Sequence, residues 1–192
     1  MRLAALVAAG GLGLRLGPGD PKGLRELGDR SLVVHAIERV ARTSGLAEVV
    51  VAAPPNFHAE VVAAVESCVT AVPVRVVPGG VLRQDSVRNM LSVLAPEVTH
   101  VLVHDAARSL APTSLSDTVV AALVAGHPAV IPVLPVADTV ARVDGEFVVA
   151  NVPRADLRLV QTPQGFQRHL LQRAHDDCPP GLEATDDASL VA

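Results

Sequence analysis

Apolar residues along the chain fall into short runs separated by stretches of helical period. Leu3 to Ala8, Glu48 to Ala53, Val74 to Val77, His100 to His104 and Ala129 to Val133 are rich in Val, are bounded by Gly or Pro, and read as buried strands. Between the first two, Leu32, Val33, Ala36, Ile37, Val40 and Ala41 share one helical face, with Ser31 placed to cap it and Gly45 beyond its end. Further helices are predicted from His58 to Ser67, Asp85 to Leu94 and Thr113 to Ala125. Strand followed by helix, repeated, implies an α/β fold with a doubly wound, mostly parallel sheet, here in one domain over residues 1–192.

One segment breaks this rhythm. Thr139 to Val143 and Glu146 to Val149 alternate apolar with polar residues around Asp144-Gly145, a strong hairpin signal. A hairpin at about residues 138–155 reads either as an arm projecting toward a second subunit or as a surface hairpin folded back on its own domain. Near the end of the sequence, Thr185-Asp186-Asp187-Ala188-Ser189 has the look of a helix start. Thr185 or Asp186 would be its cap, with acidic residues in the first turn.

Composition narrows the core. Hydrophobic residues make up 49% of the chain but aromatics only 2%, so Val, Leu, Ile and Ala must pack between layers, which favours α/β over a β-sandwich. A net charge of −4 and no basic run interleaved with aromatics argue against a nucleic-acid partner. Cys68 and Cys178 stand apart with no CxxC spacing, which suits reduced thiols in a cytoplasmic protein and excludes a thiolate metal site. The apolar opening is broken by glycines and Arg15, and no stretch reaches the ~20 apolar residues of a membrane span.

Charge composition also singles out one residue. Of sixteen basic residues only Lys22 is a lysine, and it follows the loop Ala9-Gly10-Gly11-Leu12-Gly13-Leu14-Arg15 at the end of the first strand. Glycines there let backbone N–H groups approach a ligand at the edge where doubly wound sheets bind them. The loop is neither a Walker A sequence nor a GxGxxG dinucleotide fingerprint. A simple tight turn is the plain alternative, but Gly11-x-Gly13-x-Arg15 followed by Pro21-Lys22 forms a receptor for a polyphosphate. A second candidate site is His104-Asp105-Ala106-Ala107-Arg108: Asp105 leaving a buried strand suits Mg²⁺ or a substrate hydroxyl, or else pairs with Arg108 to cap a loop. His104 by itself reads as a hydrogen-bonded structural histidine.

These words, joined by Gly79-Gly80 with Arg83-Gln84-Asp85-Ser86-Val87, Asp138-Thr139, Gln161-Thr162-Pro163-Gln164 and the Thr185 to Ser189 motif, occur in a telling order. The chain resembles the 2-C-methyl-D-erythritol 4-phosphate cytidylyltransferases over nearly its whole length. A similar set occurs in ribitol-5-phosphate cytidylyltransferases. The resemblance implies a Rossmann-like nucleotidyltransferase fold and transfer of a cytidylyl group from CTP to a sugar-alcohol phosphate, with Mg²⁺ as cofactor.

By the same resemblance Arg15 and Lys22 stabilise the transition state, each worth about 3 kcal/mol of barrier. Ala9, Gly10, Gly11, Gly13, Gly80 and Ser86 contact the nucleotide. Asp105 lies near the acceptor and the metal, and Arg108, Thr139, Arg154, Thr162 and Thr185 contact the acceptor. Thr139 and Arg154 would reach the site of a second copy in a homodimer, which would give the arm its purpose. Two departures from the family pattern stand out: Gly23 after Lys22, expected to loosen the loop, and Val81 where some relatives place an acidic ribose contact. The family pattern also continues past Ala192 with a strand and a helix, so a CTP-binding module without turnover is the contrasting expectation.

Overall fold

A computed structural model describes residues 1–11, 21–179 and 181–192. Six strands form the central sheet. β1 (Leu3–Ala8) lies in the middle, and the two-residue strands β2 (Glu26–Leu27) and β3 (Arg30–Ser31) make a small separate ribbon before helix α1 (Leu32–Val40). β4 (Leu46–Ala53), α2 (His58–Glu66), β5 (Val74–Pro78), α3 (Arg83–Ser92), β6 (His100–Asp105) and α4 (Thr113–Val124) then alternate. The strand order begins β5-β4-β1-β6, all parallel, as the alternating pattern predicts.

Alternate residues of β1 point to opposite faces, and each face has its own core. Leu3, Ala5 and Val7 pack with α1, α2 and α4; Ala4 and Leu6 pack with Val87, Met90 and Leu91 of α3. All five of these β1 side chains are fully buried, so both faces of this strand are covered. The cores are aliphatic, with Phe166 the one aromatic among the buried residues described.

Two expectations shift at element ends. α3 begins at Arg83 rather than Asp85, because Asp85 sits in its first turn and Asp85 Oδ2 accepts the Leu82 N–H at 3.1 Å. Ser31 precedes α1 in an extended conformation, but its side chain makes no capping hydrogen bond.

The predicted buried strand from Ala129 to Val133 is corrected. Only Ala129–Val130, here β7, joins the main sheet; Pro132 has no N–H to donate, and the chain turns away into β8 (Val133–Pro135), whose three residues are exposed. β9 (Val140–Asp144) and β10 (Phe147–Val152) form the predicted hairpin. Its two-residue loop is Gly145-Glu146 rather than Asp144-Gly145, with Gly145 at φ 56°, matching a turn that needs glycine at its first central position. β11 (Arg158–Val160) pairs antiparallel with β8, and β12 (Gln164–Gln167) returns between β6 and β7, antiparallel to both. Helix α5 (Arg168–Asp176) and the short α6 (Ala188–Val191) complete the second face. No helix among the described residues is long and apolar enough to cross a membrane.

Candidate active site

The carboxyl ends of β1, β5 and β6 share one edge of the sheet, the edge where such folds hold ligands. Ala9 extends β1 by donating its N–H to the Ala52 carbonyl at 3.0 Å, after which Gly10 and Gly11 leave the sheet. Gly13 and Arg15 lie outside the described residues. The loop closes where Lys22 donates its backbone N–H to the Gly11 carbonyl at 3.1 Å.

Gly23, expected to loosen this loop, sits between the ends of β1 and β6. It is buried, and a Cβ placed there would lie 3.4 Å from the Ala9 Cβ and 3.8 Å from the Ala106 Cβ. These are ordinary contact distances, so a small side chain would also fit there. No carboxylate among the described residues pairs with the Lys22 ammonium.

Beside this loop, Gly79 and Gly80 turn sharply into α3. The Gly79 N–H donates to the Ala53 carbonyl at 2.7 Å, and the Gly80 N–H donates to Ser86 Oγ at 3.0 Å. A Cβ on Gly80 would fall 2.1 Å from the Asp85 Cβ, so only glycine fits. Ser86 Oγ also contacts the Leu82 carbonyl at 3.3 Å and lies 3.5 Å from where a Gly10 Cβ would be. The Ser86 hydroxyl thus shapes the turn that faces the first loop.

Asp105 closes the third side. Arg83 Nε donates to its Oδ1 at 3.0 Å and Arg108 Nε stands 3.6 Å from its Oδ2, so the ion pair with Arg108 exists and a second arginine reinforces it. The Asp105 N–H donates to Thr162 Oγ1 at 3.2 Å, and Arg108 reaches the side chain of Gln161 and the Val160 carbonyl. The motifs at 104–108 and 161–164 therefore meet in space. His104 is buried, with Nδ1 at 2.9 Å from Thr162 Oγ1, and burial pushes its pKa down to about 4.

Thr139 and Arg154 are exposed near the base of the hairpin, where Arg154 bonds the Ala137 carbonyl. Among the described residues neither is hydrogen-bonded to Asp105, Arg108 or Thr162. Thr185 is exposed just before α6. Two residues next to the site carried no sequence signal of their own: Arg83, inside a motif but unassigned, and Asp187, one of two adjacent aspartates with nothing to say which turns inward. Gln164 is likewise fully buried, gripping Asp186 at 2.8 Å and the Ala188 N–H at 3.2 Å.

Among the described residues no three His, Cys, Asp or Glu side chains converge on a metal position. The donor set still fits a Mg²⁺ that keeps waters and takes most of its ligands from phosphates, since such an ion needs only one or two carboxylates. Each Asp105 oxygen retains a lone pair beyond its arginine.

Comparison with known proteins gives a consistent picture. Residues 3–192 match the family model described as IspD, 2-C-methyl-D-erythritol 4-phosphate cytidylyltransferase. A protein of that name from Streptomyces avermitilis is 47% identical over 201 residues, covering 99% of this chain and 79% of the relative. One from Frankia casuarinae is 49% identical over 191 residues, covering 99% and 69%. Among solved structures, the 2-C-methyl-D-erythritol 4-phosphate cytidylyltransferase of Thermus thermophilus superposes with a TM-score of 0.75 at 35% identity, covering 100% of this chain and 83% of that one. The 4-diphosphocytidyl-2C-methyl-D-erythritol synthase of Anaerococcus prevotii gives 0.82 at 26% identity, covering 98% and 80%. With a glycine-lined strand end, a lone lysine and an arginine-held aspartate on one sheet edge, and with these matches, the chain belongs to the 2-C-methyl-D-erythritol 4-phosphate cytidylyltransferase family.

Proposed function

We propose that this chain transfers a cytidylyl group from CTP to 2-C-methyl-D-erythritol 4-phosphate, releasing pyrophosphate, in isoprenoid precursor synthesis. The observation that carries the reading is the adjacency of two unlike groups of residues at one end of the sheet, where Ala8 pairs with Asp105 and Gly23 lies against Ala106. Gly10, Gly11 and Lys22 offer amides and a cation on one side, while Asp105, Arg108 and Thr162 offer polar side chains on the other.

In this reading Ala9, Gly10, Gly11, Gly13, Gly80 and Ser86 line the nucleotide. An acceptor phosphate oxygen attacks the α-phosphorus in line, the new O–P bond forms, and the bond to the bridging oxygen breaks with its electron pair leaving on pyrophosphate. The attacking phosphate is already anionic, so positioning and cations do the work. Lys22 supplies a compact charge from a backbone bonded to Gly11, and Arg15 supplies a second. Mg²⁺ held by triphosphate oxygens and Asp105 would offset charge on the leaving pyrophosphate. Asp105 accepts from an acceptor hydroxyl, while Arg108, Thr162 and Thr185 place the acceptor.

The exposed arm fits a homodimer. Val143, Phe147, Val148 and Val149 present apolar side chains to solvent in the single chain, and Thr139 and Arg154 at its base would serve the acceptor site of a second copy. The protein is read as cytoplasmic, acting on small phosphorylated substrates without nucleic acid or membrane.

Incubation with CTP, Mg²⁺ and 2-C-methyl-D-erythritol 4-phosphate, followed by pyrophosphate release, tests the reading. Release is the expected result. Release with ribitol 5-phosphate alone would overturn the substrate, and CTP binding without release would overturn the activity.

A further inference from the structure

The site contains a buried charge that none of these roles uses. Asp187 is 0% exposed, lies 82 positions beyond Asp105 in sequence, and comes from the motif before α6. Asp187 Oδ2 accepts from Arg83 Nη1 at 2.6 Å, while the same guanidinium donates from Nε to Asp105 Oδ1 at 3.0 Å. One planar cation thus spans two carboxylates, one sealed inside the protein and one facing the cleft. Among the described residues Arg83 Nη2 is buried with no hydrogen-bond partner, and the guanidinium is anchored there by its two carboxylate bonds.

The neighbourhood leaves Asp187 little alternative. Its Oδ1 stands 3.4 Å from Nε2 of the fully buried His175, too long for a good hydrogen bond, and both atoms are otherwise unpartnered. Arg83 remains charged under all ordinary conditions, and its removal from water is tolerable only with anionic partners. Burial opposes the ionised form of Asp187, but the Arg83 guanidinium bonded to it, with the His175 ring nearby, holds its pKa below the ordinary carboxylate value. Asp186 beside it is engaged elsewhere, accepting the Ser189 N–H at 3.0 Å at the start of α6 and the Gln164 side-chain amide at 2.8 Å.

We propose that Asp187 is a positioning residue: it fixes the Arg83 guanidinium so that the Asp105 carboxylate is presented to the acceptor in one orientation. Without the inner anion, Arg83 would give Asp105 all of its charge and would be free to fold over it, competing with the acceptor and with any cation held there. The motif at 185–189 then acts on the reaction from behind the cleft, through Arg83. This rests on the reading of the cleft given above.

The test compares Asp187→Asn, Asp187→Glu and Arg83→Lys with the unmodified protein, whose own pyrophosphate release checks the underlying reading independently. Asp187→Asn is expected to lower kcat/KM for the acceptor at least tenfold while the Kd for CTP, measured without acceptor, changes less than threefold. Asp187→Glu, which keeps the charge, should recover most of the acceptor term even if its Tm falls. A single ammonium cannot span both carboxylates, so Arg83→Lys should fold, because Asp187 stays paired, and should show the same acceptor-specific loss. A lowered Tm with unchanged acceptor kinetics in Asp187→Asn, or unchanged kinetics in Arg83→Lys where the first variant does not fold, overturns the proposal. Equal losses for CTP and acceptor overturn it as well.

Discussion

His104 Nδ1 lies 2.9 Å from Thr162 Oγ1, and the same hydroxyl oxygen accepts the Asp105 N–H at 3.2 Å. One hydroxyl thus ties the buried His104 ring to the backbone of Asp105 at the end of β6. Replacing His104 with Ala is expected to raise the acceptor KM about tenfold, the scale of one lost hydrogen bond. Steady-state kinetics with each substrate varied in turn check this.

The same histidine makes stability depend on pH in a defined window. Its folded pKa of about 4 lies below the ordinary 6.5, so the unfolded chain binds the proton first. The stabilising contribution is complete above 6.5 and is lost as pH falls toward 4, by up to roughly 3 kcal/mol. The Asp187 contribution, from a lowered carboxylate pKa, is lost only below its ordinary 3.8. Urea unfolding between about pH 7 and 4.5 should show a steep decline that flattens in His104→Ala.

Lys22 can be isolated chemically, since it is the only side-chain amine in the sequence. Lys22→Met is expected to lower kcat by about 100-fold, or ~3 kcal/mol of transition-state stabilisation. Its Tm should stay near that of the unmodified protein, because no carboxylate among the described residues depends on it. Amine-directed labelling should be blocked by CTP and should abolish turnover.

Two glycines separate steric from binding roles. Gly80→Ala would drive a Cβ to 2.1 Å from the Asp85 Cβ, and a cost of about 1–3 kcal/mol or more is expected by thermal unfolding. A Cβ on Gly11 meets nothing within 4 Å among the described residues, so Gly11→Ala should keep its Tm and weaken CTP binding alone.

The arm offers a test of assembly. Phe147 is 78% exposed at the turn of the hairpin, and Phe147→Asp is expected to convert dimers to monomers in sedimentation experiments. If Arg154 serves a second copy, equal mixtures of Arg154→Ala and Lys22→Met protein should recover about a quarter of full activity, because half the dimers then hold one intact site. Recovery near zero would place Arg154 on its own chain's cleft.

Much of this architecture is legible in the sequence where burial is purely apolar. The runs at β1, β4 and β6 are continuous because helices cover both faces, β5 at the sheet edge is only partly buried, and the pattern marks all four within one or two residues. β12 escapes because its buried positions include Gln164, a polar residue tolerated at 0% exposure only by its bonds to Asp186 and Ala188. α5 escapes with it, its helical face carrying few apolar residues and a fully buried His175. In the cleft, motif order points to Asp105, Arg108 and Thr162, which do meet. The Arg83 link to Asp187 is invisible in the sequence because it joins positions 104 residues apart through charge rather than pattern.

The excursion between β7 and β12 also has a kinetic meaning. β9 pairs with β10, β8 with β11 and β7 with β12, three antiparallel ladders nested around one turn at Gly145. Once the innermost ladder has formed, each outer one closes only a short gap instead of the whole of residues 131–163, so the entropy of loop closure is met in small steps. On contact order the ribbon is expected to zip from its tip inward, with local contacts first and the docking of β12 on β6 last. The final tooth of that zipper sets Thr162 beside Asp105, so the cleft would be among the last parts of the molecule to be completed.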